Sequence, residues 1–352
     1  MMKKTTTLKS IAEQVGVSIA TVDRAIHNRG EINTETKQKI LSKANELGYK
    51  PNRIARTLVM KKTNKIGVIL PLEPKFFWSE VENGIKYVGE SISDFGIKMS
   101  YYRISDNVVT QKYTIEKLIE EDISALIIKP LYDKSIIEIL NECVKKGIKV
   151  VMINDNINEV NSLFYVGPND DEAGKTAGHL MSMFLKGKGK IVVIRNTVNP
   201  SYSLEKRYEA FYQQVKGMSS ELEIIDESNH ITETIGGYDA YLAAKHYIEN
   251  ISDIAGIYND SGSIYEVGLA IKDEKPSEKI VIVGHEVSPE VNELLIQGYI
   301  DAVISQDPFS QGYNAIKNLS DFLIEGKEVE SKQLLTHTDV ILKTNIRIRN
   351  SI

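Results

Sequence analysis

The feature that most constrains the fold is an alternation of β-branched runs with amphipathic stretches from residue 65 onward. The runs are short and apolar, as buried strands are, and the stretches between them have helical periodicity. The first series is KIGVILP (65–71), KMSYYRI (98–104), ALIIKP (125–130) and KVVMIND (149–155), and the second is KIVVIRN (190–196), ELEIIDE (221–227), IAGIYND (254–260), KIVIVGHE (279–286) and DAVISQDP (301–308). Strands that alternate with helices form parallel sheets covered on both faces. Two series therefore predict an α/β body of two lobes.

Polar residues stand where these runs end. Asp155 ends the fourth run and Asn156 follows it, while Asn259, Glu286 and Gln306 lie at or near the ends of three runs of the second series. Ligands of parallel sheets bind beyond the carboxyl ends of the strands, and carboxylates and amides match the hydroxyl groups of a sugar. Asn and Asp are also ordinary turn residues at strand ends, so each one alone has a simpler explanation.

Three aromatic residues, Phe76, Phe77 and Trp78, follow the first run. An aromatic ring can stack on the apolar face of a sugar ring, which makes all three candidates for ligand contact. At least one of them is also expected to face the core.

The first fifty residues have the pattern of three short helices. LKSIAEQV (8–15) places its apolar residues on one helical face, with Thr7 as a cap before it and Gly16 as a stop after it. Ser18 is a natural cap for a second helix over 19–26. Two short helices joined by a tight turn with glycine are typical of a helix-turn-helix motif.

The inner faces of the second and third helices can also be predicted. Val22 and Ile26 are expected to face inward from the second helix. Asn33 caps the third helix, and its expected inner face is Ile40, Leu41, Ala44 and Leu47.

Charge is distributed unevenly along the chain. Residues 1–65 carry 14 Lys and Arg against five Asp and Glu, a net charge of +9, whereas the remainder carries −14 and the whole chain −5. A basic N-terminal module is the electrostatic footprint of a protein that binds the phosphate backbone of DNA. A solvated lysine-rich surface would give the same count.

The second helix would present its N-terminal half to the major groove. Arg24 can donate two hydrogen bonds to a guanine edge, and Ile19 and Ala20 can contact a thymine methyl group. The hydroxyl groups of Ser18 and Thr21 suit phosphate oxygens, which position the protein without reading sequence.

The segment TLKSIAEQVGVSIATVDRAIHNRGEINTETKQKILSKANELGYKPNRIARTL resembles the DNA-binding head of the lactose-repressor (LacI/GalR) family of bacterial transcription regulators. The motifs GPNDDEAGKTAGHLM, GIYND, IVGHE and ISQDPFSQGYNAI resemble the family's effector domain, which has the two-lobed type I fold of periplasmic binding proteins, over about residues 65–345. The resemblance implies a helix-turn-helix domain at 1–50, a hinge helix and linker at 51–65 and an effector domain at 66–352. Its lobes would comprise 66–166 with 307–331, and 167–306 with 332–352.

The resemblance also implies a set of DNA contacts. Asn52, Ala55 and Leu58 would belong to a hinge helix that enters the minor groove, where Leu58 would wedge between base steps. The full expected set is Thr7, Ser18, Ile19, Ala20, Thr21, Asp23, Arg24, Asn52, Ala55 and Leu58. Asp23 departs from the serine of many members, and we expect it either to accept from a cytosine amino group or to support Arg24.

The effector contacts implied by the resemblance lie in the cleft between the lobes. Phe76 and Phe77 would sandwich the ligand, while Asp155, Asn259, Glu286 and Gln306 would bind its hydroxyl groups. Glu205 stands where sugar-binding relatives often have arginine, which favours a neutral polyol or monosaccharide, or an amino sugar, over an acidic ligand. If the alignment is shifted, Glu205 is instead a surface residue of a helix.

Together these features predict a homodimeric regulator, in the expected case a repressor, that binds a near-palindromic double-stranded operator under the control of a small neutral sugar or polyol. A single cysteine, Cys143, and an N-terminus without an apolar segment behind its lysines indicate the cytoplasm. No membrane span is expected, because no segment approaches the roughly 18 apolar residues that one needs. We expect no enzymatic activity, cofactor or metal, because the sequence contains no phosphate-binding glycine loop, serine-hydrolase motif or metal-ligand spacing. The alternatives are a sugar-binding protein for transport and a regulator controlled by a protein corepressor.

Overall fold

A computed structural model describes residues 7–26, 32–47, 49, 64–92, 95–197, 201–235 and 239–346. These residues form a helical N-terminal head and a body of two sheets with helices on both faces. No helix in this part of the chain is long and apolar enough to cross a membrane. The predicted fold class, a helix-turn-helix head on a two-lobed α/β body, is confirmed.

The head contains the three predicted helices. They are α1 (Leu8–Val15), α2 (Ile19–Ile26) and α3 (Thr34–Glu46). Thr7 caps α1 by accepting from the Ser10 amide, and Gly16 ends it with a left-handed φ of 76°, which glycine adopts without a steric cost. Asn33 caps α3 by accepting from the Glu35 and Thr36 amides.

A small apolar core holds the three helices together. Its buried members are Ile11, Ala12, Val22, Ala25, Ile40 and Ala44. One prediction about the inner faces is wrong, because Leu41 is 42 % exposed. Leu41 is one residue beyond Ile40, which turns it about 100° away from the inner face. On α2, Val22 is buried and Ile26 packs against the core as predicted, and Ala25 is a further buried residue that the prediction missed.

The first lobe is built on a six-stranded sheet in the order β11-β5-β4-β3-β1-β2. Its strands are β1 (Asn64–Pro71), β2 (Ile97–Ile104), β3 (Ala125–Ile128), β4 (Lys149–Ile153), β5 (Phe164–Gly167) and β11 (Gln333–Leu335). All of them are parallel. Four helices cover the sheet: α4 (Lys75–Ile92), α5 (Val108–Glu120), α6 (Lys134–Lys145) and α13 (Pro308–Glu325).

The second lobe repeats this plan with the order β12-β10-β9-β8-β6-β7. Its strands are β6 (Gly189–Ile194), β7 (Leu222–Ile225), β8 (Ile254–Asn259), β9 (Val281–His285), β10 (Ala302–Ser305) and β12 (Asp339–Ile341), of which only β12 pairs antiparallel to its neighbour among the strands described. Its helices are α7 (Asp170–Phe184), α8 (Tyr202–Met218), α9 (Ser228–Ile235), α10 (Ala240–Asn250), α11 (Ile264–Glu274) and α12 (Pro289–Gln297).

The chain crosses between the lobes after β5, after β10 and after β11. The predicted boundary at residue 331 is wrong for the third crossing, because β11 still pairs with β5 in the first sheet. A strand of only three residues has no periodicity by which the sequence could reveal it.

Close helix packing stiffens each lobe at its glycines. A Cβ atom at Gly84 of α4 would lie 2.1 Å from the carbonyl oxygen of Phe309 in α13, and one at Gly174 of α7 would lie 2.1 Å from that of Arg207 in α8. Only glycine permits backbones to approach this closely. The second of these contacts brings Arg207 to the edge of the sheet where the polar strand ends meet.

Candidate functional site

The N-terminal half of α2 is exposed, as is required of a helix that contacts DNA bases. Ile19 is 47 % exposed, and Ala20 and Arg24 are also exposed. Ser18 accepts from the Thr21 amide at 3.1 Å, and the two hydroxyl groups lie 2.8 Å apart. The apolar face of α2 meanwhile points into the head core, so the surface that remains is the one predicted to contact DNA.

Arg24 and Asp23 have different surroundings. The Nε atom of Arg24 donates to the carbonyl oxygen of Ala20 at 3.3 Å, which leaves both terminal nitrogens for another acceptor. Asp23 is half-buried near Tyr49, where burial first and the Asp23 carboxylate second raise the pKa of the Tyr49 hydroxyl. Asp23 therefore contributes to the local packing of the head as well as to its surface.

Some predicted DNA contacts lie outside the described residues. These are the hinge residues Asn52, Ala55 and Leu58. Thr7 is described and exposed, and its hydroxyl oxygen is already the cap of α1.

The polar strand ends of the body come together between the lobes, mostly buried. Asp155 is 6 % exposed, Gln306 3 % and Asn259 0 %, whereas Asn156 and Glu286 are half-buried. The Gln306 amide donates to the Glu286 carboxylate. Asn259 uses its amide nitrogen within the protein, donating to the Ile194 carbonyl at 3.1 Å, so it ties β8 to β6.

Arg207 is the centre of this cluster. Its guanidinium, only 4 % exposed, donates to the Asp260 carbonyl at 2.8 Å, to Asp170 Oδ1 at 2.8 Å and to Gln306 Oε1 at 3.2 Å. These acceptors stand at the end of β8, the start of α7 and the end of β10. One arginine thus joins two of the three crossing segments to the second lobe.

Gln306 extends this network to the other crossings. The backbone carbonyl oxygen of Gln306 accepts from Thr336 Oγ1 at 2.9 Å and from Gln311 Nε2 at 3.1 Å. Gln311 in turn accepts from the side chain of Asn154 at 3.4 Å. The hydrogen bonds therefore run from the second lobe through the crossing segments to the end of β4 in the first.

The backbone is strained at the same place. Asn154, Glu286 and Asp307 have left-handed φ angles of 67°, 74° and 49°, and they follow β4, β9 and β10. Such conformations cost about 1–3 kcal/mol for residues other than glycine and cluster at binding sites.

Two carboxyl groups of the cluster are protonated more readily than usual. Burial raises the pKa of Asp260 to about 7, against the opposing charges of Arg195 and Arg207. Burial likewise raises the pKa of Glu286 to about 7, against Arg207 and the hydrogen bond from Gln306. Near neutral pH each can therefore either donate to a ligand hydroxyl group or accept from one.

Glu205 lies on the surface of α8, with its side chain 57 % exposed. It pairs with Arg195 at 2.6 Å, and Arg195 also contacts Asp226 and Asp260 at 3.4 Å each and stacks over Tyr208 at 3.9 Å. Arg195 thus supplies a cation within reach of Glu205. The expectation that Glu205 disfavours an acidic ligand is weakened, because its carboxylate is paired with Arg195, and its exposure fits the alternative of a surface residue on a helix.

The three aromatic candidates separate into core and surface. Phe77 and Trp78 are 6 % and 4 % exposed and pack edge to face in the core of the first lobe, 4.9 Å between ring centres. Phe76 is 42 % exposed. The expectation that Phe77 and Trp78 stack on a ligand needs correction, because the first turn of α4 directs both side chains into the core. Of the three aromatic candidates, Phe76 is the one that remains available for contact with a ligand.

His285 does not form an acid-base site with Asp301. His285 is fully buried with Nε2 2.9 Å from the Tyr258 hydroxyl, and burial lowers its pKa well below the ordinary value. Asp301 binds the Ile282 amide and Lys279, near the opposite end of β9. Among the described residues no group of His, Cys, Asp and Glu has the arrangement of a metal site.

Comparison with known families is decisive for this combination of head and body. A model of bacterial regulatory proteins of the lacI family matches residues 7–52, and a model of the periplasmic binding protein domain matches residues 66–328. The body of this chain belongs to the periplasmic binding protein domain family, and its head is a helix-turn-helix domain of the lacI family.

Individual relatives agree with the family match. The chain is 40 % identical over 92 residues to the HTH-type transcriptional regulator RegA of Clostridium saccharobutylicum, an alignment that covers 26 % of this chain. The aligned part of this chain covers about a quarter, 27 %, of the length of RegA.

Solved structures show the same fold. One is GanP, a glucose-galactose binding protein from Geobacillus stearothermophilus, with a TM-score of 0.72 and 23 % identity over 82 % of this chain and 100 % of GanP. Another is a putative LacI transcriptional regulator from Bacteroides fragilis, with a TM-score of 0.71 and 20 % identity over 81 % of this chain and 98 % of that one.

Three important residues of the cluster, Arg207, Asp170 and Arg195, carry no sequence signal of their own. Each is one charged residue in a helix or after a strand, and the partners of Arg207 are 37 and 99 positions away. The available signal is indirect, because Asp170 lies in GPNDDEAGKTAGHLM, one of the motifs that resemble the family, and Arg207 stands two residues after Glu205.

Proposed function

We propose that this LacI-family chain is a sequence-specific DNA-binding transcription regulator, acting as a homodimer in the cytoplasm, whose operator affinity is controlled by a small neutral sugar or polyol. The observation that carries the proposal is the joining, in one chain, of a helical head with an exposed recognition face to a body with a buried polar cleft. The head would comprise residues 1–50, the hinge 51–65 and the effector domain 66–352.

On the DNA side, α2 would lie in the major groove. Ile19, Ala20 and Arg24 would contact base edges, and Ser18 and Thr21 would contact phosphate. The net charge of +9 over residues 1–65 supports attraction to the phosphate backbone. A two-fold dimer presents two such heads, so the operator would be nearly palindromic.

On the effector side, Asp155, Glu286 and Gln306 would bind hydroxyl groups, with Arg207 holding Gln306 in place. Phe76 would contact the apolar face of the ligand. The binding of glucose and galactose named for GanP supports a sugar as the class of ligand. No single charge dominates the cleft, because Arg195, Arg207 and Lys129 each pair with at least one carboxylate, which favours a neutral ligand.

Coupling between the two sites would run through the three crossing segments. A ligand bound between the lobes changes their equilibrium only if it binds one arrangement more tightly than the other. The network of Arg207, Gln306 and Thr336 links those segments, and a shift there would reach the hinge and alter how the two heads are held.

The proposal can be tested by selection from a random duplex library with the full chain at fixed salt concentration. We expect enrichment of an inverted repeat. Arg24→Ala should lose preference at one base pair of each half-site, by about 1–3 kcal/mol per contact. Lys39→Ala removes the same charge from an exposed position on α3 and should retain the motif. Failure to enrich any motif would contradict the proposal.

A further inference from the structure

One partly buried arginine lies outside the network around Arg207. Arg103 stands next to the end of β2, the edge strand of the first sheet, and its side chain is 21 % exposed. One of its terminal nitrogens donates to Glu82 Oε2 of α4 at 3.2 Å, and the other donates to the backbone carbonyl oxygen of Leu72 at 3.2 Å. Its Nε atom is buried and has no hydrogen-bond partner among the described residues. Arg103 therefore joins β2 both to α4 and to the end of β1.

The two acceptors of Arg103 lie on either side of the connection between β1 and α4. We call residues 72–76 the β1–α4 segment. It begins with Leu72, just after β1, and ends at Phe76 in the first turn of α4. Glu82 lies two turns further along the helix. One guanidinium thus bonds the chain before the segment turns and again after it has become helical, which fixes the position of the segment relative to α4.

The β1–α4 segment contacts both the effector side and the second lobe. Phe76 is the exposed aromatic candidate for ligand contact. Two residues earlier, Pro74 faces Gly262 of the second lobe, where a Cβ atom would lie 3.0 Å from Pro74 Cγ. A displacement of the segment would therefore change both the aromatic surface offered to a ligand and the contact between the lobes.

The bond between Arg103 and Glu82 is one between charged groups. Burial alone would raise the pKa of Glu82, but the hydrogen bonds and charges of Lys86 and Arg103 hold that pKa below its ordinary value. Hydrogen bonds in which both groups are ionised are stronger than neutral ones. Lys86, whose side chain is 53 % exposed, pairs with the same carboxylate at 2.5 Å from the next turn of α4. Lys86 and Arg103 thus share Glu82, and the bond to Leu72 is what distinguishes Arg103.

We propose that Arg103 is a positioning residue, which holds the β1–α4 segment in the place where Phe76 meets the effector and Pro74 meets the second lobe. For its effect on effector binding, this inference rests on the proposed function. A binding group that is held in place before the ligand arrives loses less conformational freedom on binding, so the affinity is higher. Arg103 supplies this order from the edge of the sheet and does not contact the ligand.

The protein contains a natural probe of the segment. Trp78 is its single tryptophan and is 4 % exposed, and its indole nitrogen donates to the carbonyl oxygen of Glu73, within the segment, at 3.0 Å. A segment released from Arg103 would break this bond and admit water to the indole ring. The fluorescence of Trp78 therefore reports the position of the segment without any ligand.

The first test is acrylamide quenching of Trp78 fluorescence in the full chain. Arg103→Met should raise the quenching constant at least about twofold, because local opening exposes a buried ring. Arg103→Lys, which keeps the charge and can bond one of the two acceptors, should restore part of the protection. Lys86→Met is the matched control, since it removes a cation from the same Glu82 carboxylate without touching Leu72, and it should leave quenching unchanged.

The second test is titration calorimetry with D-glucose and D-galactose as probes, the sugars named for GanP. A sugar that binds the native chain should bind Arg103→Met about tenfold more weakly, which corresponds to about 1.4 kcal/mol. Lys86→Met should bind it with native affinity. Operator affinity measured without sugar should be the same in all three proteins.

The outcomes separate this inference from the proposed function. Unchanged quenching in Arg103→Met, or an equal rise in Lys86→Met, would overturn the positioning role whichever sugar binds. Native sugar affinity in Arg103→Met despite raised quenching would overturn it as well. If neither sugar binds the native chain, the proposed effector class fails for these probes, while raised quenching in Arg103→Met alone still supports the role of Arg103.

Discussion

The guanidinium of Arg207 and the carboxylate of Asp170 lie 2.8 Å apart, with both residues at least nine-tenths buried. Asp170 begins α7, immediately after the first crossing between the lobes, and Arg207 lies on α8, the helix that packs most closely against it. This pair therefore fixes the point where the chain enters the second lobe.

Replacing Arg207 should destabilise the protein strongly. Arg207→Met leaves Asp170 and Gln306 buried without their donor, and removing one partner of a buried ion pair typically costs about 3–5 kcal/mol. Urea unfolding followed by circular dichroism measures the change. Lys175→Met breaks the exposed pair of Lys175 with Asp171 on the same helix and should cost less than about 1 kcal/mol. A similar loss of unfolding free energy in both variants would show that the buried network stabilises the fold no more than an exposed ion pair does.

Asp260 and Glu286 should each make the protein less stable as pH rises from about 4 to about 7, whereas the buried His285, whose pKa is lowered, acts in the opposite direction. Asp260 and Glu286 have folded pKa values of about 7, against ordinary values of 3.8 and 4.5, so the folded state holds protons that the unfolded chain has already released. Each such group lowers the free energy of unfolding by about 1.4 kcal/mol per pH unit in this window.

Asp260→Asn tests the sign and origin of this effect. The variant lacks one of the two groups, so its urea midpoint should decline less than that of the native chain between pH 5 and pH 7. An identical decline in the two proteins would show that Asp260 does not titrate in this range.

Gly262 should control how closely the lobes approach. A Cβ atom there would lie 3.0 Å from Pro74 of the first lobe and 3.4 Å from Glu286 of the second. Gly262→Ala should therefore weaken effector binding several-fold, as measured by calorimetry. Gly217→Ala is the matched control, because nothing lies within 4 Å of its Cβ position. Full effector affinity in Gly262→Ala would mean that this contact does not limit closure.

The regular elements of the body follow from the sequence because each strand is a buried β-branched run between helical stretches. All nine runs predicted from the sequence contain a strand. β5, β11 and β12 were missed: β11 and β12 have three residues, too few to show a period, and β5 (FYVG) contains only one β-branched residue. β11 and β12 are moreover partly exposed, so their composition resembles that of a loop.

The site is only partly predictable for a different reason. Asp155, Glu286 and Gln306 follow strands, and the rule that ligands bind beyond the carboxyl ends of strands identifies them without any structure. The role of Arg207 could not be predicted in this way, because its hydrogen-bond partners are distant in the sequence and come together only where the chain crosses between the lobes. Whether Phe76, Phe77 or Trp78 faces the cleft depends on where the first turn of α4 begins, which periodicity cannot fix to one residue.

The central claim is that ligand in the cleft controls DNA binding, and fluorescence anisotropy of a selected operator duplex with and without sugar tests it most directly. The sugar used is one that binds the purified chain in calorimetry. We predict a change in operator Kd of about 5–150-fold, the range of ordinary coupling free energies. Asp155→Ala should abolish the change and leave operator affinity without sugar intact. The same operator Kd with and without a sugar that demonstrably occupies the cleft would contradict the account.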